Sequence, residues 1–252
     1  MNVWDALFST QPTEPPRFDL LWYGSLFSLL ALTVFLAYRY GDKKVCQRFF
    51  QILQALQLIL LYGWYLVNQM PLTESLPFYH CRLAMFVVLL TPGVSRVKQY
   101  FAVLGTFGTL AAFVYPVPDP YPFPHIAILS FIFGHLALFG NSLIYLLKDY
   151  DASLLDFKRI LIITSSLNAL IFVVNLMTGG DYGFLTKPPL VGDHGPLINY
   201  LVVTLFLTFA IYIVSKAFQT MLEEKGERRL RICRNKKIFS QPLDFYLRIL
   251  IQ

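Results

Sequence analysis

Residues 125–147 read HIAILSFIFGHLALFGNSLIYLL, without a lysine, arginine, aspartate or glutamate. At 1.5 Å per residue, a helix of this length can cross the ~30 Å hydrocarbon core of a bilayer. Further largely apolar stretches lie at residues 20–40, 49–70, 76–91, 99–115, 160–178 and 197–218. The sequence therefore predicts an all-α membrane helix bundle of about seven transmembrane helices.

The composition of the chain also indicates a membrane protein. Hydrophobic residues make up 56% of the 252 residues and charged residues only 14%, whereas soluble domains carry roughly 25% charged residues. Basic loops explain the net charge of +6, so we expect no nucleic-acid partner. The first 16 residues lack the basic segment and the small-residue cleavage site of a signal peptide, so the first span is expected to stay in the mature protein.

Lysine and arginine are concentrated at one end of the predicted spans. That end has the basic residues of segments 39–48, 96–98, 148–159 and 216–248, whereas the other end has only Arg17 and Lys187. Because basic loops remain in the cytoplasm, we expect the N-terminus outside and the C-terminus in the cytoplasm. Residues 1–218 would form the transmembrane domain and residues 219–252 a basic cytoplasmic tail.

The predicted tail combines a basic run with an apolar end at residues 245–251. A solvated anchor is the simpler interpretation of this pattern. The alternative is an amphipathic helix that lies on anionic lipid of the inner leaflet, the partner we expect for the tail. The sequence identifies no protein partner.

Several polar residues fall where the bilayer should exclude them. The third span begins with His80, Cys81 and Arg82, and the fifth carries His125 and, ~15 Å further along, His135. Such side chains are costly in a membrane unless they are paired or hydrated, so they indicate a partly hydrated cavity that opens to the outer side. The candidate polar residues of this cavity are His80, Arg82, His125, Asn141, Asn168, Asn175, Asp181, Tyr182 and Lys187.

Cys81 is the candidate nucleophile of this cavity. The expected topology places Cys46 and Cys233 in the cytoplasm, which leaves Cys81 without a disulfide partner. A lone cysteine in a span is most often a small buried hydrophobic residue. The nucleophile interpretation requires a base that can reach the thiol.

His135 is the more plausible base for Cys81. The adjacent Arg82 points about 100° away on a helix and is an unsuitable direct partner. Hydropathy places His135 somewhat deeper than Cys81, so a contact requires helix tilt or irregular backbone after Pro77. The chain has no motif for a phosphate loop or a zinc site. His80, His125 and Asp193 could bind a metal, but their spacing is unspecific, so we expect no metal and no cofactor.

Three segments together resemble a known family. They are LPFYHC at residues 76–81, FPH at residues 123–125 before the span that carries His135, and NLMTGGDYGFLTKP at residues 175–188. In order and spacing they resemble the YwaF-like bacterial integral membrane protein family, which is related to the eukaryotic transmembrane protein 164 acyltransferase. The likeness runs from about residue 76 to residue 200.

This resemblance implies a membrane-embedded lipid acyltransferase in which a cysteine forms a thioester and a histidine acts as base. By position, the cysteine is Cys81 and the histidine is His135, with His125 as the second candidate. Tyr79 stands two residues before the cysteine, where the family is expected to have a histidine. The resemblance also implies a multi-pass protein of the bacterial cytoplasmic membrane.

We therefore expect acyl transfer or ester hydrolysis on outer-leaflet lipids, with membrane lipids as substrate. Asn175, His125 or a backbone N–H near Pro77 could stabilise the oxyanion. Two alternatives stay open. The same cavity could serve a non-catalytic transporter or small-molecule binder, although the spans lack mid-bilayer Asp and Glu. The protein could also be a membrane assembly partner that docks through its tail.

Overall fold

The computed structural model describes the backbone of residues 3–239 and the side chains of residues 4–226. Over this part of the chain the regular structure is helical, which confirms the all-α prediction. The helices are α1 (Val3–Phe8), α2 (Leu20–Tyr40), α3 (Lys44–Val67), α4 (His80–Leu90), α5 (Arg96–Val114), α6 (Ile126–Asp149), α7 (Phe157–Thr178) and α8 (Pro196–Phe239), with a short 3-10 turn at Tyr182–Phe184. The apolar segment predicted at residues 245–251 lies outside the described residues, as do the basic side chains after residue 226.

Six of the helices, α2, α3, α5, α6, α7 and α8, are long and apolar enough to cross a membrane. Helix α4 has only 11 residues, which gives a length of ~16 Å, about half of the hydrocarbon core. The predicted seven spans thus correspond to six full-length helices and one short apolar helix. Residues 76–79 of the expected third span are irregular instead of helical.

Polar side chains fix where several helices begin. Asp19, Ser95 and Asp156 each accept a hydrogen bond from a backbone N–H three residues later, at the starts of α2, α5 and α7. Helix α7 ends at Gly179, whose positive φ of 74° suits glycine. Helix α4 differs, because Tyr79 at its start provides no side-chain cap.

Helix α6 is the centre of the bundle. It contacts α2, α3, α4, α5 and α8, and most of its residues are buried. Glycines permit this close packing: the ring of Phe50 lies where a side chain on Gly140 would stand, and Gln57 lies against Gly134. The central position of α6 explains why His135 faces the protein interior and not lipid.

One end of the bundle gathers the segments that form the site. There α4 begins, α5 ends and α6 begins, and the N-terminal segment folds over them. Trp64 Nε1 donates to the carbonyl of Phe8 over 3.0 Å, and His125 Nε2 donates to the carbonyl of Ser9 over 2.9 Å. We call this end the N-terminal face.

Candidate active site

A cavity of about 500 Å³ opens beneath the N-terminal face, within the 300–1,000 Å³ of typical small-molecule sites. Residues of α3, α4, α5, α6 and α8 line it, together with the loops before α4, α6 and α8. One part of its lining is apolar and includes Leu58, Leu61 and Met85, whereas Glu74, Arg82 and Asp119 form a charged part that we call its mouth. The cavity therefore suits a molecule with a polar end and a hydrocarbon end.

Cys81 lines this cavity from the first turn of α4. The side chain is partly exposed, and it points at α5. A Cβ on Gly108 would lie only 2.7 Å from the Cys81 sulfur. Gly108 therefore permits this approach, which any residue with a side chain at position 108 would block.

His135 lines the same cavity from α6 and is 8% exposed. Its Nδ1 lies 2.6 Å from the carbonyl oxygen of Phe131. A carbonyl oxygen only accepts, so Nδ1 carries the proton and donates, which leaves a lone pair on Nε2. This tautomer suits a general base that works through Nε2.

Helix α5 contacts both Cys81 and His135 through adjacent residues. Gly108 meets the sulfur of Cys81, and the hydroxyl of the next residue, Thr109, donates to the backbone carbonyl of His135 over 3.1 Å. The backbone after Pro77 is irregular, and α4 begins only at His80.

The start of α4 offers free hydrogen-bond donors next to the thiol. The first hydrogen bond of the helix joins the N–H of Leu83 to the carbonyl of Tyr79 over 2.9 Å. The N–H groups of His80, Cys81 and Arg82 therefore have no acceptor within the helix. No side chain caps them. This end of the helix carries partial positive charge and favours an anion.

His80 also lines the cavity but is held by α7. Its Nε2 lies 2.7 Å from Oδ1 of Asn168, while Nδ2 of Asn168 donates to Thr204 Oγ1 over 2.9 Å. The ring also lies against Gly183, where a Cβ would be 2.7 Å from Cε1 of His80. Asn168 therefore positions the ring of His80 in the cavity.

Arg82 joins α4 to the loop before α6. Its Nη2 lies 3.1 Å from a carboxylate oxygen of Asp119, and its guanidinium lies between the rings of Tyr65 and Tyr79, at 5.4 Å and 5.1 Å from their centroids. Burial raises the pKa of the nearby Glu74 carboxyl; Asp119 raises it further, and Arg82 lowers it. The mouth of the cavity is thus polar and charged.

Sequence reasoning missed two polar residues of the cavity, Gln57 and Ser130. The hydroxyl of Ser130 donates to Gln57 Oε1 over 2.6 Å, and Gln57 Nε2 lies 3.5 Å from Met85 Sδ. Gln57 follows Gln54 by three residues, and both side chains are buried. This spacing was the available sign that one face of α3 looks inward.

Seven of the nine predicted cavity residues do not line the cavity: His125, Asn141, Asn168, Asn175, Asp181, Tyr182 and Lys187. Asn141 Nδ2 donates to the carbonyl of Phe50 over 3.1 Å, between α6 and α3. Asp181 accepts backbone N–H groups of Thr186 and Lys187 at 2.7 Å and 3.2 Å. Lys187 itself is exposed. Neither Asn141 nor these loop residues line the cavity.

Asn175 and Tyr182 form a clamp between α7 and the loop before α4. Both amide atoms of Asn175 bind the backbone of Tyr182, at 2.9 Å and 2.8 Å. The Tyr182 hydroxyl in turn donates to the carbonyl of Leu72 over 2.7 Å and accepts the N–H of Leu76 over 2.9 Å. Asn175 does not line the cavity, although the sequence made it a candidate oxyanion donor.

His125 is a structural residue at the start of α6. Its Nδ1 accepts the N–H of Ala127 over 3.2 Å and its Nε2 donates to Ser9, so both ring nitrogens are engaged. The ring stacks on Tyr121 with centroids 4.1 Å apart and does not line the cavity. Of the two candidate bases, His135 lines the cavity with Cys81 and His125 does not.

The three residues considered for a metal have separate roles. His80 binds Asn168, and His125 caps α6. Asp193 accepts the N–H of Gly195 and the amide of Asn199, which lower the pKa of its carboxyl. Among the described residues, no group of three or more His, Cys, Asp or Glu side chains could hold a metal ion.

A protein-family model, the TMEM164 family, matches residues 8–218 of the chain. The match covers α2 to α7, α8 as far as residue 218, and every residue of the cavity. Comparison with curated proteins and with solved structures finds no match. With its six apolar helices of membrane-spanning length, the chain is a multi-pass membrane protein that belongs to the TMEM164 family.

Proposed function

We propose that the protein is a membrane-embedded lipid acyltransferase or lipid ester hydrolase, with Cys81 as nucleophile and His135 as base. The observation that carries this proposal is that both side chains line one cavity, with the adjacent α5 residues Gly108 and Thr109 against Cys81 and the backbone of His135. The apolar part of the lining and the charged mouth support a lipid as substrate, since a lipid ester lies between a hydrocarbon chain and a polar headgroup.

In the first half-reaction, Nε2 of His135 takes the proton of the Cys81 thiol. The sulfur attacks the carbonyl carbon of a lipid ester, and a tetrahedral oxyanion forms. The ester C–O bond then breaks, and the proton on His135 passes to the leaving alcohol oxygen. The products are a lysolipid and an acyl thioester on Cys81.

In the second half-reaction, an acceptor hydroxyl attacks the thioester carbonyl. His135 takes the proton of this hydroxyl, the C–S bond breaks, and the sulfur of Cys81 recovers the proton. A lipid hydroxyl as acceptor gives acyl transfer, and water gives hydrolysis. Each cycle moves one acyl group and leaves the enzyme unchanged.

Backbone groups at the start of α4 are the proposed oxyanion donors. The N–H groups of His80, Cys81 and Arg82 precede the intrahelical ladder and lie next to the sulfur. Fixed donors of this kind stabilise a developing negative charge without reorganisation. The partial positive charge at this helix end also favours a negative charge there.

The test is an acyl-exchange assay in proteoliposomes. The vesicles contain phosphatidylcholine, phosphatidylethanolamine and phosphatidylglycerol with tagged acyl chains, together with a lysophospholipid acceptor. We expect Cys81→Ser to abolish both acyl exchange and fatty-acid release. We expect His135→Ala to lower the rate about 10²–10⁴-fold, the usual contribution of a general base.

Two matched controls keep the test specific. Cys46→Ser removes a described cysteine that bonds the carbonyl of Leu36 and does not line the cavity. His194→Ala removes an exposed histidine outside the cavity. Both controls should keep their activity. Full acyl exchange in folded Cys81→Ser or His135→Ala protein would contradict the proposal.

The membrane setting completes the proposal. The charge distribution of the sequence supports the N-terminal face, and with it the mouth of the cavity, on the outer side of a bacterial cytoplasmic membrane. Outer-leaflet lipids are then the substrates, and the basic residues after residue 218 bind anionic lipid of the inner leaflet. Neither a metal nor another cofactor takes part.

A further inference from the structure

The wall of the cavity differs in thickness from one side to the other. On the α3, α4 and α6 sides the lining residues are deeply buried, as Leu58, Leu61 and Met85 show with exposures of 5%, 2% and 3%. On the side between α5 and α8, Phe206 lines the cavity and is also 55% exposed. A side chain that meets both the cavity and the outside forms a wall one residue thick.

Two aromatic rings close this thin wall. Phe107 of α5 and Phe206 of α8 both line the cavity, and their ring centroids lie 5.8 Å apart in an edge-to-face arrangement. Above them, Leu190 of the loop before α8 also lines the cavity and is 74% exposed. Both helices are of membrane-spanning length, so the outer surface of the ring pair faces lipid.

The path behind the rings is apolar and leads to the thiol. Ala111 and Ala112, which line the cavity next to Phe107 on α5, leave space because their side chains are small. Gly108 follows Phe107 directly, and its missing side chain is where the sulfur of Cys81 approaches α5. A hydrocarbon chain that passes between the two rings would therefore arrive beside Cys81.

We propose that Phe107 and Phe206 form a lateral gate between α5 and α8, through which the fatty acyl chain of a bilayer lipid reaches Cys81. The chain slides in from the bilayer, while the headgroup stays at the charged mouth formed by Glu74, Arg82 and Asp119. The occupant is a hydrocarbon chain and not a polar solute, because the gate, Ala111 and Ala112 offer no charged group. This inference deepens the proposed function and rests on it for the identity of the substrate.

Alkylation of Cys81 tests the gate without requiring catalysis. In a background with Cys46→Ser and Cys233→Ser, Cys81 is the single remaining cysteine. The protein in phosphatidylcholine vesicles is treated with an N-dodecyl maleimide, which partitions into the bilayer, or with a small charged methanethiosulfonate, which comes from water. The rate of modification is followed by intact-protein mass spectrometry.

The gate predicts opposite effects for two substitutions at one position. Phe206→Ala should lower the barrier to passage, because the gate is wider, and raise the rate of the dodecyl reagent about tenfold. Phe206→Trp should narrow the gate and lower this rate by a similar factor. The small charged reagent should react at an unchanged rate in both variants. Phe209→Ala is the matched control, since Phe209 is 52% exposed on the same helix and does not line the cavity.

Unchanged dodecyl rates in both Phe206 variants would overturn the gate, as would an equal change in Phe209→Ala. If those rates are unchanged while acyl exchange depends on Cys81, the gate is wrong and the proposed function stands. If the rates respond as expected while acyl exchange is absent, the gate stands and the proposed function is wrong.

Discussion

Gly108 sets the distance between the proposed nucleophile and α5. The sulfur of Cys81 occupies the space that a side chain at position 108 would take, at 2.7 Å from the Cβ. Contacts this short are not tolerated between packed atoms. The position of the thiol relative to His135 therefore depends on a residue without a side chain.

Gly108→Ala should displace Cys81 and slow its chemistry. We expect a loss of about 1–3 kcal/mol in stability from overpacking and a fall of at least about tenfold in acyl exchange. Thermal unfolding in detergent and the proteoliposome assay measure the two effects.

Gly63→Ala is the matched control, because nothing lies within 4 Å of a Cβ at this position. It should keep its activity, and its stability should stay equal or rise, since alanine favours a helix by ~1 kcal/mol over glycine. Full activity in Gly108→Ala would show that the thiol does not work from its observed position.

At the level of single residues, sequence reasoning predicted that Cys81 and His135 share a cavity, and both line it, but most of the polar residues predicted beside them do not. The pair stood out because a thiol and an imidazole are rare in apolar spans. Asn175 and His125 stood out for the same reason, yet they bind backbone groups of Tyr182, Ala127 and Ser9. Those partners are set by loop folding, which hydropathy does not encode.

Among the elements, α4 and the loop before it define the site. Hydropathy predicted the six long helices well, because each is apolar over a length sufficient to cross a membrane. It could not predict that residues 76–79 are irregular and that α4 begins at His80. The clamp of Asn175 and Tyr182 holds this irregular segment from α7, a contact between residues about 100 positions apart.

Asn175→Ala should loosen the segment before α4. The substitution removes two hydrogen bonds to Tyr182 and leaves buried backbone groups without partners, at a cost of about 1–3 kcal/mol each. We expect a lower Tm and faster hydrogen exchange at the amides of Leu76 and Tyr182.

Asn68→Ala is the control for this loss, because Asn68 is exposed and bonds only the carbonyl of Trp64 in its own helix. Its Tm should change little. Equal exchange rates at Leu76 in Asn175→Ala and in the unsubstituted protein would show that the clamp does not hold the start of α4.

At the scale of the whole molecule, basic residues predict the orientation of the bundle. Thr186 lies in the connection between α7 and α8 at the N-terminal face, and Ala152 lies between α6 and α7 at the opposite face; both are exposed. In a background without other cysteines, a membrane-impermeant maleimide added to intact cells should label Thr186→Cys and leave Ala152→Cys unlabelled. If only Ala152→Cys were labelled, the orientation would be the opposite of the predicted one.

Intact-protein mass spectrometry detects an acyl group that Cys81 carries during turnover. Protein purified from membranes and supplied with lipid should carry a mass increase of one fatty acyl group. Hydroxylamine should remove this adduct, Cys81→Ala should lack it, and His135→Ala should form it slowly. An adduct that persists in Cys81→Ala, or unmodified protein throughout lipid turnover, would rule out a thioester on Cys81.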